Sequence, residues 1–282
     1  MFNDSGDMRT GKAKAQLKKQ LQVEMSSRNV LPKVKCRVLD GSAVLWVIHW
    51  PANGTVRDFV VNFKQYIQQK LTSSDVYLVF DRYQDFSTKS TTRCNRTTEA
   101  SSVHRLALDT PLPPQKVVLT VSENKSQLME ISCEELTRDT TFHRDYTMTH
   151  KLVITSSNNT PVEISYGGVV IHREDMSTSH EEADCIIVHQ AVTVATECQV
   201  YVSVIADDTD VFILLLHHYF ERHLTSHMIM ESPIHGRTVI DIQATVKQQQ
   251  SIVDGLLSMH ALSSCDTCAI VHAISVLVKS GY

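Results

Sequence analysis

VKCRVLD (34–40) and DVYLVFD (75–81) bracket VRDFVVNFKQYIQQKL (56–71). The two outer segments are β-branched and aromatic runs that each stop on an aspartate. The middle segment sets Phe59, Val60, Phe63, Ile67 and Leu71 at helical spacing, the stripe of an amphipathic helix. The reading is strand, helix, strand. A right-handed crossover makes such strands parallel, so Asp40 and Asp81 leave the sheet on one edge. Sites in open α/β sheets are built outside the carboxyl ends of the strands.

The unit recurs downstream. A helix is expected over 180–196, a strand over 199–205 and a helix from Asp208 to Tyr219, which carries Asp208 and Asp210 to the same edge. HEEAD (180–184) adds Glu182 and Asp184, and SSCDT (263–267) adds Asp266. Each acid has an ordinary explanation, because Asp and Glu cap helix starts and complement the positive end of the dipole. Ser179 with Glu182, and Thr178 with Glu181, fit the capping-box pattern. Caps do not explain why acids recur after strand upon strand, two of them as acid-x-acid pairs. Clustered carboxylates repel and drift toward protonation unless cations hold them. Oxygen ligands suit Mg²⁺ or Mn²⁺, and two such ions about 3.5–4 Å apart can drive phosphodiester hydrolysis.

Around this framework, residues 9–27 carry Arg9, Lys12, Lys14, Lys18 and Lys19 beside Leu17, Leu21 and Val23, a basic, weakly amphipathic helix. Its basic face is either solvated or an arm for nucleic acid phosphates. Residues 84–110 are polar and basic. There Lys89, Arg93 and Arg96 follow Asp81 closely enough to neutralise a phosphate, or are plain loop charge; Tyr83 can stack on a base or pack in its loop. After Pro111–Pro114 the pattern predicts a strand at 117–121, a helix at 124–137 and two short strands in KLVITSSNNTPVEIS (151–165). The histidines of HHYFERH (217–223) match no familiar ligand spacing and read as helix-end residues.

The 282 residues, 42% of them hydrophobic, suffice for one full core, and the formal charge of −4 neither demands nor forbids a polyanionic partner. No apolar stretch reaches the roughly 18–20 residues of a membrane span, and the first residues lack the apolar segment of a secretory signal. The expectation is an intracellular protein, nuclear or cytoplasmic, with no membrane partner. Seven scattered cysteines make no disulfide framework. Cys265 and Cys268 have redox or zinc spacing without a second pair, and fit the start of a buried helix better.

VLDGSAVLW, VFDRY with its basic sequel, E-x-D opening a helix, D-x-D after a strand and a late single Asp resemble, in that order, the flap endonuclease and 5′-exonuclease branch of PIN-like nucleases. More narrowly, FDRYQDFSTKSTTR, HEEADCIIVHQA, ADDTDVFILLL and MHALSSCDT resemble a group of uncharacterised animal PIN-like proteins, some associated with mobile elements. The resemblance spans about 34–267. It implies an α/β fold with a mostly parallel central sheet flanked by helices, as a nuclease domain over 31–282; the basic helical extension over 1–30 and a small β-rich insertion at about 111–176 stand outside the family pattern. By the family pattern Asp40, Asp81, Glu182 and Asp184 form one metal site, and Asp208, Asp210 and Asp266 bind or support a second. Lys89 and Arg93 match the family's catalytic phosphate-gripping cations. The implied cofactors are two Mg²⁺ or Mn²⁺ ions, and the implied substrate is DNA or RNA, single-stranded or a 5′ flap.

Two departures qualify the expected activity. Members of this branch continue past the late Asp into a helix-turn-helix that grips the duplex, whereas this chain ends at Tyr282, so a reduced clamp is expected. SSCDT also lacks the glycine usual before that Asp. The competing reading is a catalytically inactive PIN-like interaction module, for nucleic acid or protein, derived from a mobile element.

Overall fold

The computed structural model describes residues 14–25, 33–82, 102–180, 182–198 and 200–263. The described residues are α/β, with mostly parallel strands flanked by helices. The chain divides into two compact units, Val34–Gln190, and Met1–Lys33 with Ala191–Tyr282.

In Val34–Gln190, strand β1 (Cys36–Asp40) leads through helices α2 (Gly41–Val47) and α3 (Val56–Leu71) to strand β2 (Asp75–Val79). The two strands are parallel, Cys36 facing Asp75 and Asp40 facing Val79, so the crossover read from the sequence holds. Helix α3 forms where its periodicity predicts. Thr55 and Asp58 close a capping box at its start, and Phe59, Val60, Phe63, Ile67 and Leu71 are buried. Phe63 packs toward Phe59 and Phe80, each with ring centroids 6.5 Å from its own. That aromatic row fixes the helix over the carboxyl end of β2.

Residues 111–176 correct two expectations. The run at 117–121 is helical: α4 (Gln115–Thr120) starts after Pro114 and buries Val118 and Leu119. A short apolar run does not reveal its own period, and here the preceding prolines and a one-sided core decide for helix. Helices α5 (Ser122–Arg138) and α6 (Thr140–Tyr146) follow, so the stretch is β-rich only in its second half. There β3 (Leu152–Thr155) pairs parallel to β2, and β4 (Val162–Ser165) and β5 (Val169–His172) add antiparallel strands, extending the sheet. Helix α7 (Ala183–Cys198) closes this unit and runs on into the next.

Gly41 joins β1 to α2 in close contact with the ring of Phe80, the residue before Asp81. A Cβ at Gly41 would stand 2.3 Å from that ring, and Phe80 is fully buried with no room to retreat. Only glycine lets the residue after Asp40 touch the residue before Asp81, which locks the two strand ends together. Gly41→Ala is expected to destabilise the protein by about 1–3 kcal/mol through overpacking, measured as a lower denaturation midpoint in urea. An unchanged midpoint would mean that the ring moves freely.

In the other unit, α1 (Lys14–Leu21) accompanies β6 (Val202–Ile205), α8 (Thr209–Glu221), β7 (Met228–Glu231), β8 (Ile240–Asp241), α9 (Ile242–Gln248) and α10 (Val253–Ser263). Strands β6 and β7 are parallel, β7 and β8 antiparallel. The segment after α1 is tied to β8, since Met25 N–H donates to Val239 O and Asp241 N–H to Val23 O. Helix α8 is apolar nearly all round, with Val211, Phe212, Ile213, Leu215 and Leu216 buried. It is a core helix, and that burial fixes the register of the acids at its start. No helix among the described residues is long and apolar enough to cross a membrane.

Candidate metal centre

Asp40 ends β1 and caps α2, its carboxylate accepting the Ala43 N–H at 3.1 Å. Burial pushes this carboxyl from the ordinary 3.8 up to about 6, and the negative charge of Asp81 adds to the rise; the amides of Ala43 and Ser42 and the charge of Lys125 oppose it. The cap donor is one that a neutral side chain can also satisfy. The ionised form is therefore less favoured here than on an exposed aspartate.

Asp81, just past the end of β2, accepts the Ala183 N–H at 3.1 Å and the Ser42 hydroxyl at 3.5 Å. It thereby caps the first turn of α7, where Asp184 lies. Long-range capping replaces a purely local one, and it couples the β2 edge to the helix bearing the E-x-D pair. Arg82 reinforces that link. It is buried and donates to the carbonyls of Asn159 at 2.9 Å, His180 at 3.0 Å and Thr178, which holds the chain entering α7. Glu182 is exposed at the helix start.

At the end of β6 three acids have three different roles. Asp208 caps α8 and accepts the Asp210 N–H at 2.8 Å. Asp210, in the first turn, lies 2.6 Å from Nε2 of His260 on α10, a side chain only 9% exposed. Asp207 turns elsewhere: Arg237 reaches its carboxylate at 2.7 Å and Ser232 at 2.9 Å, while Lys18 of α1 donates to its carbonyl at 3.0 Å. Asp207 therefore belongs to a separate charge network.

Asp208 and Asp210, both at the start of α8, bring two carboxylates together, and such oxygen donors could hold a metal ion. An all-oxygen donor set fits a hard divalent cation. Asp40 and Asp81 form the acid pair of their own unit. Lys89, Arg93, Arg96, Tyr83, Asp266 and the Cys265/Cys268 pair lie outside the described residues. Within the described residues the His217 and His218 rings stack edge-on, 5.1 Å apart, and join no metal-ligand group. Among the described residues, Cys36, Cys133, Cys185 and Cys198 form no disulfide.

Three residues at these acids were not anticipated in those roles. His260 lies in the MHALSSCDT motif, which was read for its aspartate alone, and its partner Asp210 is fifty positions away. Lys18 was read on the basic face of a helix, solvated or an arm for phosphates, and not as a partner of Asp207. Arg237 sits in an unremarkable turn, SPIHGRT, and nothing in its spacing points to Asp207. No protein-family model matches the chain, and no curated protein does.

Proposed function

We propose that the chain is a PIN-like, metal-dependent nuclease that hydrolyses phosphodiester bonds of DNA or RNA, single-stranded or 5′-flap, with two Mg²⁺ or Mn²⁺ ions. The observation that carries the reading is Asp40. A carboxyl pushed up to about 6 by burial and by Asp81, at the carboxyl end of one of two adjacent parallel strands, is a cost that a bound cation removes. In the same unit Asp184 lies in the first turn of the helix that Asp81 caps, and in the other unit Asp208 and Asp210 offer a second set of hard ligands. Bound there, divalent ions supply an activated water and charge neutralisation on the leaving oxygen. The chain's own part is to fix the carboxylates: Gly41 and Phe80 register the two strand ends, Arg82 steadies the entry to α7, and His260 pins Asp210. Such a substrate implies an intracellular setting, in nucleus or cytoplasm.

The purified protein incubated with 5′-flap DNA, single-stranded DNA and single-stranded RNA, with and without Mn²⁺, tests this directly. Cleavage that requires the ion supports the reading, and no cleavage of any substrate rejects it. A second reading, a catalytically inactive module, is favoured by the capping hydrogen bonds of Asp40 and Asp208, which give both acids a structural task. Calorimetry separates the two, because an inactive module whose acids serve only as caps takes up no Mn²⁺.

A further inference from the structure

Beside the D-x-D segment, in the unit that contains α1, lies a cavity of about 190 Å³. Its lining includes Lys18, Lys19, Arg237, Asp207, Thr209 and Glu231, three cations against two carboxylates. Both carboxylates are already engaged: Asp207 holds Arg237 and Ser232, and Glu231 accepts the Ser203 hydroxyl at 2.5 Å.

Lys18 is the telling residue. Its stem crosses the Phe212 ring, with Nζ 6.0 Å from the centroid, and its ammonium gives one hydrogen bond, to the neutral carbonyl of Asp207. An ammonium has three N–H donors, so among the described residues two are unspent on a side chain that is half-buried. Burial lowers its pKa, and the nearby charges of Asp207 and Asp208 only partly offset this while Arg237 adds to it. A partly desolvated cation with spare donors, next to the exposed Lys19, is completed by an oxyanion. Asp207 and Thr209 both line the cavity, so that oxyanion would sit immediately beside Asp208.

We propose that this cavity is a phosphate subsite, in which Lys18 and Lys19 grip a backbone phosphate of a single nucleic acid strand lying next to the cleavage centre. The proposal rests on the nuclease reading for its substrate class, but its contacts involve none of the proposed metal ligands. In this role α1 is a binding element of the fold.

The test is fluorescence anisotropy of the full chain with a short 5′-phosphorylated single strand in Ca²⁺ across a salt series, comparing wild type with Lys18→Met/Lys19→Met. Methionine keeps the apolar stem over Phe212. The double variant should bind about tenfold more weakly, and its log K against log salt should flatten by about 1.4, two contacts at about 0.7 each. Lys18→Arg/Lys19→Arg should retain binding. Lys19→Met alone, on an exposed position, should weaken binding about threefold and serves if the double variant fails to fold. Unchanged affinity and slope in the methionine variants overturn the subsite, even where Mn²⁺ uptake and cleavage persist. Lysine-dependent strand binding without any Mn²⁺ uptake sinks the nuclease reading and leaves the subsite standing. Competition by inorganic phosphate or by an acidic peptide at the same concentration as the strand overturns the assignment to a nucleic acid backbone.

Discussion

Asp208→Asn is expected to leave the fold intact and to abolish cation-dependent cleavage, with activity falling by at least about a hundredfold. Asparagine caps helices as well as aspartate does, so the bond from the Asp210 N–H survives the change. What disappears is a negative charge at the start of α8 and one hard ligand. The helix dipole loses a favourable partner worth about 0.3–1 kcal/mol, a small shift in the thermal midpoint. Cation-induced stabilisation should shrink far more. Wild type in an ion excess of about 100 Kd should gain about 2.7 kcal/mol, and the variant only a fraction of that at the same concentration. Asp208→Ala is the complementary change, since it loses the cap as well and should cost about 1 kcal/mol in the absence of any ion. If Asp208→Asn cleaves like wild type and takes up Mn²⁺ unchanged, Asp208 is a cap and nothing more.

These acids illustrate what a sequence discloses and what it hides. Helix α3 and the parallel pairing of β1 and β2 are legible because their information is local: a 3.6-residue stripe, two β-branched runs and a crossover rule. From those alone follows the meeting of Asp40 and Asp81 at one edge. The helix at 115–120 was hidden because KVVLTV has no period of its own, and only its one-sided burial of Val118 and Leu119 decides against a strand. The partners of the acids were hidden for a different reason. Asp81 caps a helix 102 positions away, His260 meets Asp210 across 50, and Lys18 meets Asp207 across 189. No spacing rule spans such distances. A histidine on an apolar helix or a lysine in a basic one acquires its role only when the chain has folded.

Asp40→Asn is expected to make the metal-free protein more stable above pH 6 and no different near pH 4. The carboxyl of Asp40 titrates near 6 in the folded chain against an ordinary 3.8. Between those values the folded state binds a proton that the unfolded state has released, so stability falls as pH rises through the window. Below 3.8 both states are protonated and the penalty is absent, whereas above 6 it is fully expressed. A rise of about two pH units corresponds to about 3 kcal/mol at 1.36 kcal/mol per unit. Asparagine escapes that penalty because it is neutral, and its side-chain oxygen can still accept the Ala43 N–H. It also removes the repulsion from Asp81. Urea midpoints of the two proteins in chelator should therefore coincide near pH 4 and separate progressively to pH 8, with the variant ahead. Saturating Mn²⁺ should reverse the order, since wild type gains a ligated cation and the variant has lost one of the ligands. A stability difference that stays flat from pH 4 to pH 8 would show that Asp40 is comfortably ionised, and would remove the principal support for a cation beside it. The half-buried acid at the end of β1 thus costs stability when it is ionised, and on the proposed reading a bound cation removes that cost.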